Sequence, residues 1–258
     1  MHTGISSDNP YEYNRWGFAW EYVPGGGVAH LDYGCHDGTF LNTLKDKKIG
    51  RLVGVDVCEK AIRHGQECFP ELEIIKIGEA SNLPFEDGTF NSVTVLDVLE
   101  HVYKQAELLV ELNRVLSDEG RLIITVPGQH LLSFLDRGNF KFRFPKLHRW
   151  YYCLGHSQED YEHRYVSNPD GLIGDISARK RWHEHFSREK LSKLLAEAGF
   201  NVIDFDGAGF FSRVIGNVSY FLRWSKLVHK VFARLQSLDM KLFESANLFC
   251  MAEKRQMT

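Results

Sequence analysis

Seven short runs rich in β-branched and apolar residues punctuate the chain, at 28–32, 51–57, 72–77, 91–97, 121–126, 201–205 and 247–253. Their apolar content is close to continuous, as in strands whose two faces are both covered by helices. Between the runs the period changes. Residues 39–45 and 59–68 suit helices, and Val102, Ala106, Leu109, Leu112 and Leu116 recur at helical spacing, with Gly120 expected to end that helix and Pro127 to end the strand after it. Ser187 suits an N-cap, Leu191, Leu194, Leu195 and Ala198 share a face, and Gly199 suits the position after the helix. Strands alternating with helices predict an α/β fold. A last periodic stretch, Phe221, Trp224, Val228, Val231, Leu235, Leu238 and Leu242, predicts an amphipathic helix at about 219–245, with Arg223, Lys226, Lys230, Arg234 and Lys241 outside its apolar stripe.

The first run stops at Asp32 and opens into a glycine-punctuated turn, where Gly34 and Gly38 bracket Cys35, His36 and Asp37. Without a Cβ the backbone can turn sharply there and approach a ligand closely. The second run ends at Asp56, one strand-helix-strand unit further on, where an acidic residue can accept hydrogen bonds from both hydroxyls of a ribose.

Taken in order, Leu31-Asp32-Tyr33-Gly34-Cys35, Asp56, Gly78-Glu79-Ala80, Leu83-Pro84-Phe85 and Leu96 to Val102 resemble the class I S-adenosylmethionine-dependent methyltransferases, specifically the small-molecule family often labelled type 11. The resemblance covers roughly residues 28–127, with a weaker echo at 183–208. It implies a seven-stranded, mostly parallel, Rossmann-like methyltransferase sheet with helices on both faces and the last strand antiparallel beside the fifth. It also implies S-adenosylmethionine as cofactor. Asp32, Gly34, Cys35, His36 and Gly38 would hold its methionine part, Asp56 and Val57 the ribose, and Glu79 and Ala80 the adenine. Asp97, Val98 and His101 would close it from the end of the fourth strand. The family usually carries glycine where this chain has His36, so that side chain must point away from the cofactor or crowd it. A nicotinamide-dependent oxidoreductase would need G-x-G-x-x-G, which the residues from Gly34 to Thr39 do not supply.

The 258 residues, 43% hydrophobic, suit one domain spanning 1–258: an aromatic N-terminal lid at 1–26, a cofactor-binding half at 27–127, an insertion after the fifth strand at 128–182, and a C-terminal half at 183–258 with the amphipathic helix. In the lid, Arg15 could pair with the cofactor carboxylate and Tyr13 could shield its sulfonium. The net charge of −3 argues against nucleic acid as a partner. Neither a basic, apolar leader nor a run long enough to span a membrane occurs, so a cytoplasmic protein is expected. Five cysteines without a C-x-x-C pattern read as free thiols, and no required metal is expected.

An insertion after the fifth strand lies beyond the carboxyl ends of the sheet and roofs the substrate. Its aromatic residues are interleaved with basic ones, so Arg143, Arg149 and Trp150 are expected to bind a small-molecule acceptor that is anionic or lipid-linked, with the amphipathic helix available to a membrane surface or a homodimer. Methyl transfer from a sulfonium requires alignment and, for a hydroxyl acceptor, removal of a proton. His101, His130, His183 and His185 are the candidates for a single base. The expected activity is O-methylation of a sugar, phenolic or lipid-linked acceptor; the alternatives are the oxidoreductase and a non-catalytic module that binds S-adenosylmethionine.

Overall fold

A computed structural model describes residues 10–78, 82–135, 140–166, 184–221 and 225–255. Helix α1 (Pro10–Tyr22) precedes β1 (Ala29–Tyr33), α2 (Thr39–Thr43), β2 (Arg51–Asp56), α3 (Glu59–Cys68), β3 (Glu73–Lys76), β4 (Phe90–Leu96), α4 (Gln105–Val115) and β5 (Leu116–Pro127). After three helices of the insertion come α8 (Arg188–Glu197), β6 (Phe200–Ala208), α9 (Ser212–Phe221), α10 (Lys226–Leu242) and β7 (Asn247–Lys254). The strand order is β3-β2-β1-β4-β5-β7-β6. Strands β1 to β5 pair in parallel, and β7 enters antiparallel between β5 and β6. The seven-stranded, mostly parallel sheet with its antiparallel member beside the fifth strand is therefore as expected.

One apolar cluster packs Leu31, Val53, Val93 and Leu122 with Leu109, Leu112, Leu191 and Leu195 of α4 and α8. A second packs Phe18 and Ala19 of α1 with Leu41, Ile62, Ile123 and Phe249. With both faces covered, the carboxyl ends of β1, β2, β4 and β5 are left to form the site, joined there by the end of β6 and the start of β7, where Ala208 pairs with Asn247 and Asn247 with Pro127.

Two expectations are corrected. Gly120 does not end α4: the helix stops at Val115, Leu116 is already extended and pairs with Phe90, and Gly120 lies within a bulge before Arg121 pairs with Ser92. A Cβ at Gly120 would stand 2.8 Å from the Ser117 carbonyl oxygen, so glycine serves the bulge. The helix expected at about 219–245 is two helices. Helix α10 has its own N-cap, Ser225, whose hydroxyl accepts from the Val228 amide at 3.5 Å. Among its described residues the 128–182 insertion holds α5 (Phe140–Arg143), α6 (Pro145–Cys153) and α7 (Gln158–Tyr165), the last opened by a reciprocal Ser157–Asp160 cap.

Candidate functional site

The turn after β1 is built from left-handed residues. Gly34 has φ 80°, His36 51° and Gly38 77°. A Cβ on Gly34 would come within 2.3 Å of Val98 Cγ2, so glycine is demanded by close approach as well as by backbone angle. The amides of Gly34 and Cys35 donate to the Val55 carbonyl at 2.8 and 3.1 Å, tying the turn to β2. His36 keeps its positive φ, and its side chain is 70% exposed, 3.7 Å from Asp37, so it points away from the turn it helps to form.

Asp56 is buried beneath this turn. One carboxylate oxygen accepts from the His36 amide at 2.7 Å and the other from the Cys58 amide at 2.8 Å. Each oxygen retains lone-pair capacity for a hydroxyl donor. Val57 follows, partly buried. Asp97, at the end of β4, also has a positive φ, 53°. Its Oδ1 accepts from the Thr125 hydroxyl at 2.8 Å and its Oδ2 from Arg15 Nη1 at 2.5 Å. Arg15, expected on a cofactor carboxylate, therefore clasps Asp97 and draws α1 onto the end of β4.

Sequence reasoning missed a buried polar ladder on β1 and β4. His30 Nδ1 lies 2.8 Å from the Ser92 hydroxyl and Nε2 3.1 Å from that of Thr94, which in turn donates to Asp32 Oδ1 at 2.7 Å. All four residues are buried. Desolvation, with Lys47 adding repulsion, pushes His30 down to about 3. Desolvation pushes Asp32 up to about 7, repulsion from Asp56 adding to the rise while the Thr94 hydrogen bond and Arg15 oppose it. A histidine in an otherwise apolar run was the available signal.

On the acceptor side, three segments meet beyond β4 and β5. The Gln129 amide donates to the Phe186 carbonyl at 2.8 Å and the Phe186 amide to Pro127 at 2.8 Å. Gln105 Nε2 bridges the Leu99 carbonyl at 2.9 Å and Glu184 Oε2 at 2.8 Å. This gathers His101, in a turn at Leu99–His101, His130 and His185 at one end of the sheet. His101 Nε2 is 3.9 Å from buried Glu100. His130 packs on Phe210, its Nδ1 accepts from the Leu132 amide at 3.3 Å, and desolvation, with repulsion from Arg213 and His185, holds it down to about 4. With Nδ1 accepting, neutral His130 carries its proton on Nε2, a buried atom without a hydrogen-bond partner among the described residues.

In the insertion, Tyr161 is buried among Tyr152, Tyr165 and His148. Arg149 is 2.5 Å from Glu162 and stacks over Tyr161, and Arg143 donates to the Phe134 carbonyl at 2.9 Å. Both guanidinium groups, expected to grip the acceptor, thus have partners within their own segment, while Trp150 is exposed. The side chain of Tyr13 and residues Glu79, Ala80 and His183 lie outside the described residues. Among the described residues, no three His, Cys, Asp or Glu side chains cluster as a metal site, and no helix is long and apolar enough to cross a membrane.

A family model for a methyltransferase domain matches residues 31–124, the stretch that carries the glycine turn, Asp56, Asp97 and, apart from His30, the ladder. Residues 31–124 therefore form a methyltransferase domain, of the class I S-adenosylmethionine-dependent kind. A demethylmenaquinone methyltransferase from Staphylococcus aureus is 28% identical over 67% of this chain and 68% of its own length. A transposon-encoded 37.1 kDa protein from Streptomyces fradiae is 36% identical over 42% of this chain but only 32% of its own. An S-adenosylmethionine-dependent methyltransferase structure from Methanosarcina mazei has the same fold, with a TM-score of 0.58 at 16% identity, covering 92% of this chain and 96% of that one.

The family implies S-adenosylmethionine as methyl donor, and the side chains of this methyltransferase fit such a group. Buried Asp32 and Asp56 flank a turn whose left-handed glycines let its backbone pack closely on Val98 and Ile74. A cationic sulfonium carrying a ribose suits both the charge and the hydrogen-bond acceptors on hand.

Proposed function

We propose that this methyltransferase O-methylates a small-molecule acceptor, a sugar, a phenol or a lipid-linked precursor, bound between the glycine turn and the 128–182 segment. What supports this reading is the convergence of His101, His130 and His185 on the end of the sheet where the cofactor turn lies. Bound S-adenosylmethionine supplies an electrophilic methyl group on a sulfur that departs as a neutral thioether. The turn from Asp32 to Gly38 holds its methionine part, Asp56 accepts from its ribose hydroxyls, and Arg15 shares itself between Asp97 and the amino-acid carboxylate. His130, neutral with its proton on Nε2, donates to the acceptor oxygen and orients it. The acceptor proton passes to His101 or His185.

The test uses methyl-labelled S-adenosylmethionine and a panel of phenolic, sugar and lipid-linked acceptors, with product oxygen attachment read by mass spectrometry. His101→Gln or His185→Gln should lower kcat by about 10²–10⁴, and His185→Gln should do so while leaving S-adenosylhomocysteine affinity unchanged. If both variants retain wild-type turnover, or the label lands on carbon or nitrogen, O-methylation with a histidine base is wrong.

A further inference from the structure

The apolar stripe of α10 does not face the protein. Leu227, Val231, Leu235, Leu238 and Leu242 are all exposed, Leu227 at 74% and Leu242 at 65%. At roughly 100° per residue these five fall within about 80° of arc. The opposite side does the packing: Asp239 and Met240 are buried, and Val228, Phe232 and Gln236 are partly so. Asp239, the helix's only acid, is fixed there by the Phe210 and Phe211 amides at 3.1 and 2.8 Å. Immediately beside the stripe stand Lys230, Arg234 and Lys241, all exposed. Helix α9, which packs against α10, contains no acidic residue. Glu244, beyond the helix, lies 3.8 Å from Arg188.

We infer that α10 is a docking helix for an anionic lipid surface. A 17-residue helix with an outward apolar strip and a purely basic margin has the composition of a helix lying in the plane of a bilayer, leucines in the acyl boundary and cations among the headgroups. Charge decides against the other occupant of such a strip, a second copy of the chain. An isologous antiparallel pairing through this face would bring the Lys230, Arg234 and Lys241 margins of two copies to one seam, and in either sense of pairing α10 has no exposed acidic residue to oppose them. An anionic membrane supplies the missing negative charge. The inference rests on α10 alone and stands whatever the acceptor is.

The experiment is co-sedimentation of the full chain with vesicles of phosphatidylcholine alone and of phosphatidylcholine with about a third phosphatidylglycerol, run beside light scattering without lipid. The wild type should sediment with the anionic vesicles at least tenfold more than with the neutral ones, and added salt should reduce that retention because screening weakens the cationic margin. Leu235→Asp with Leu238→Asp should abolish retention without lowering the thermal midpoint, since both side chains are exposed. Lys230→Glu with Arg234→Glu should remove the preference for anionic vesicles. Equal retention on the two vesicle types, or none, overturns the inference. So does a concentration-dependent dimer that the leucine variant dissociates, which would assign the strip to a second copy.

Discussion

Replacing Gly34 by alanine tests the cofactor turn at its tightest point. The new Cβ meets two penalties that can be separated. The first is the backbone: φ is 80°, where an L-residue costs roughly 1–2 kcal/mol relative to glycine. The second is the clash with Val98 Cγ2 at 2.3 Å, an overpacking of the kind that costs about 1–3 kcal/mol once neighbours have shifted. Together they predict a loss of about 2–5 kcal/mol, or roughly 4–20 °C in thermal midpoint for a chain of this size. Val98→Ala on its own should cost about 1–2 kcal/mol for two methyl groups. In the Gly34→Ala background the same change removes the obstacle, so it should be neutral or stabilising. Urea titrations of the four proteins close this cycle and yield the coupling directly. The refuting result is additivity, with Val98→Ala costing the same in both backgrounds, or a Gly34→Ala protein as stable as the wild type.

The ladder on β1 and β4 predicts two opposed pH dependences. His30 is lowered to about 3 from an ordinary 6.5, so its contribution is present above pH 6.5 and is lost as pH falls towards 3; Asp32 is raised to about 7 from 3.8, so its contribution is present below pH 3.8 and is lost as pH rises through 7. Between about pH 4 and 6.5 the two slopes oppose each other; His30→Gln should make unfolding stability fall with rising pH there, Asp32→Asn should make it rise, and identical slopes in both variants would contradict the assignment. Asp56→Asn should weaken S-adenosylhomocysteine binding at least about tenfold, because charged hydrogen bonds of this kind are worth roughly 1.5–3 kcal/mol. Titration calorimetry measures it, and an unchanged dissociation constant would remove Asp56 from the ribose site.

What was legible in the chain was whatever a residue settles locally. The strands were readable because both sides of the sheet are buried, leaving runs such as 122–126 with Thr125 as their one polar residue, and Gly34 and Gly38 because a left-handed turn has few other occupants. Gly120 misled because a glycine after an apolar period looks like a helix stop. The helix ends five residues earlier, when Leu116 finds Phe90 on a neighbouring strand, a pairing no local pattern encodes. Periodicity likewise located the stripe of α10 without its direction; the inward side is chosen by Asp239 finding the amides of Phe210 and Phe211. In the site, the partner of Arg15 is 82 residues away, and the His30 ladder exists only because β1 and β4 pair His30 with Ser92. Those contacts belong to register, which a single sequence does not reveal.

The insertion of β7 between β5 and β6 has a consequence for how the protein is made. Among the described strands β6 has no other neighbour in the sheet, yet β7 is synthesised after it, with α9 and α10 in between. On the ribosome β1 to β5 can pair as they emerge, while Phe200–Ala208 waits with an open edge and the β5 edge beside it also stays bare. Both edges close in one step when Asn247–Lys254 arrives and zips in opposite sense to its neighbours. This half of the sheet is therefore built from long-range contacts formed late, the slowest kind and the one most exposed to association between nascent chains.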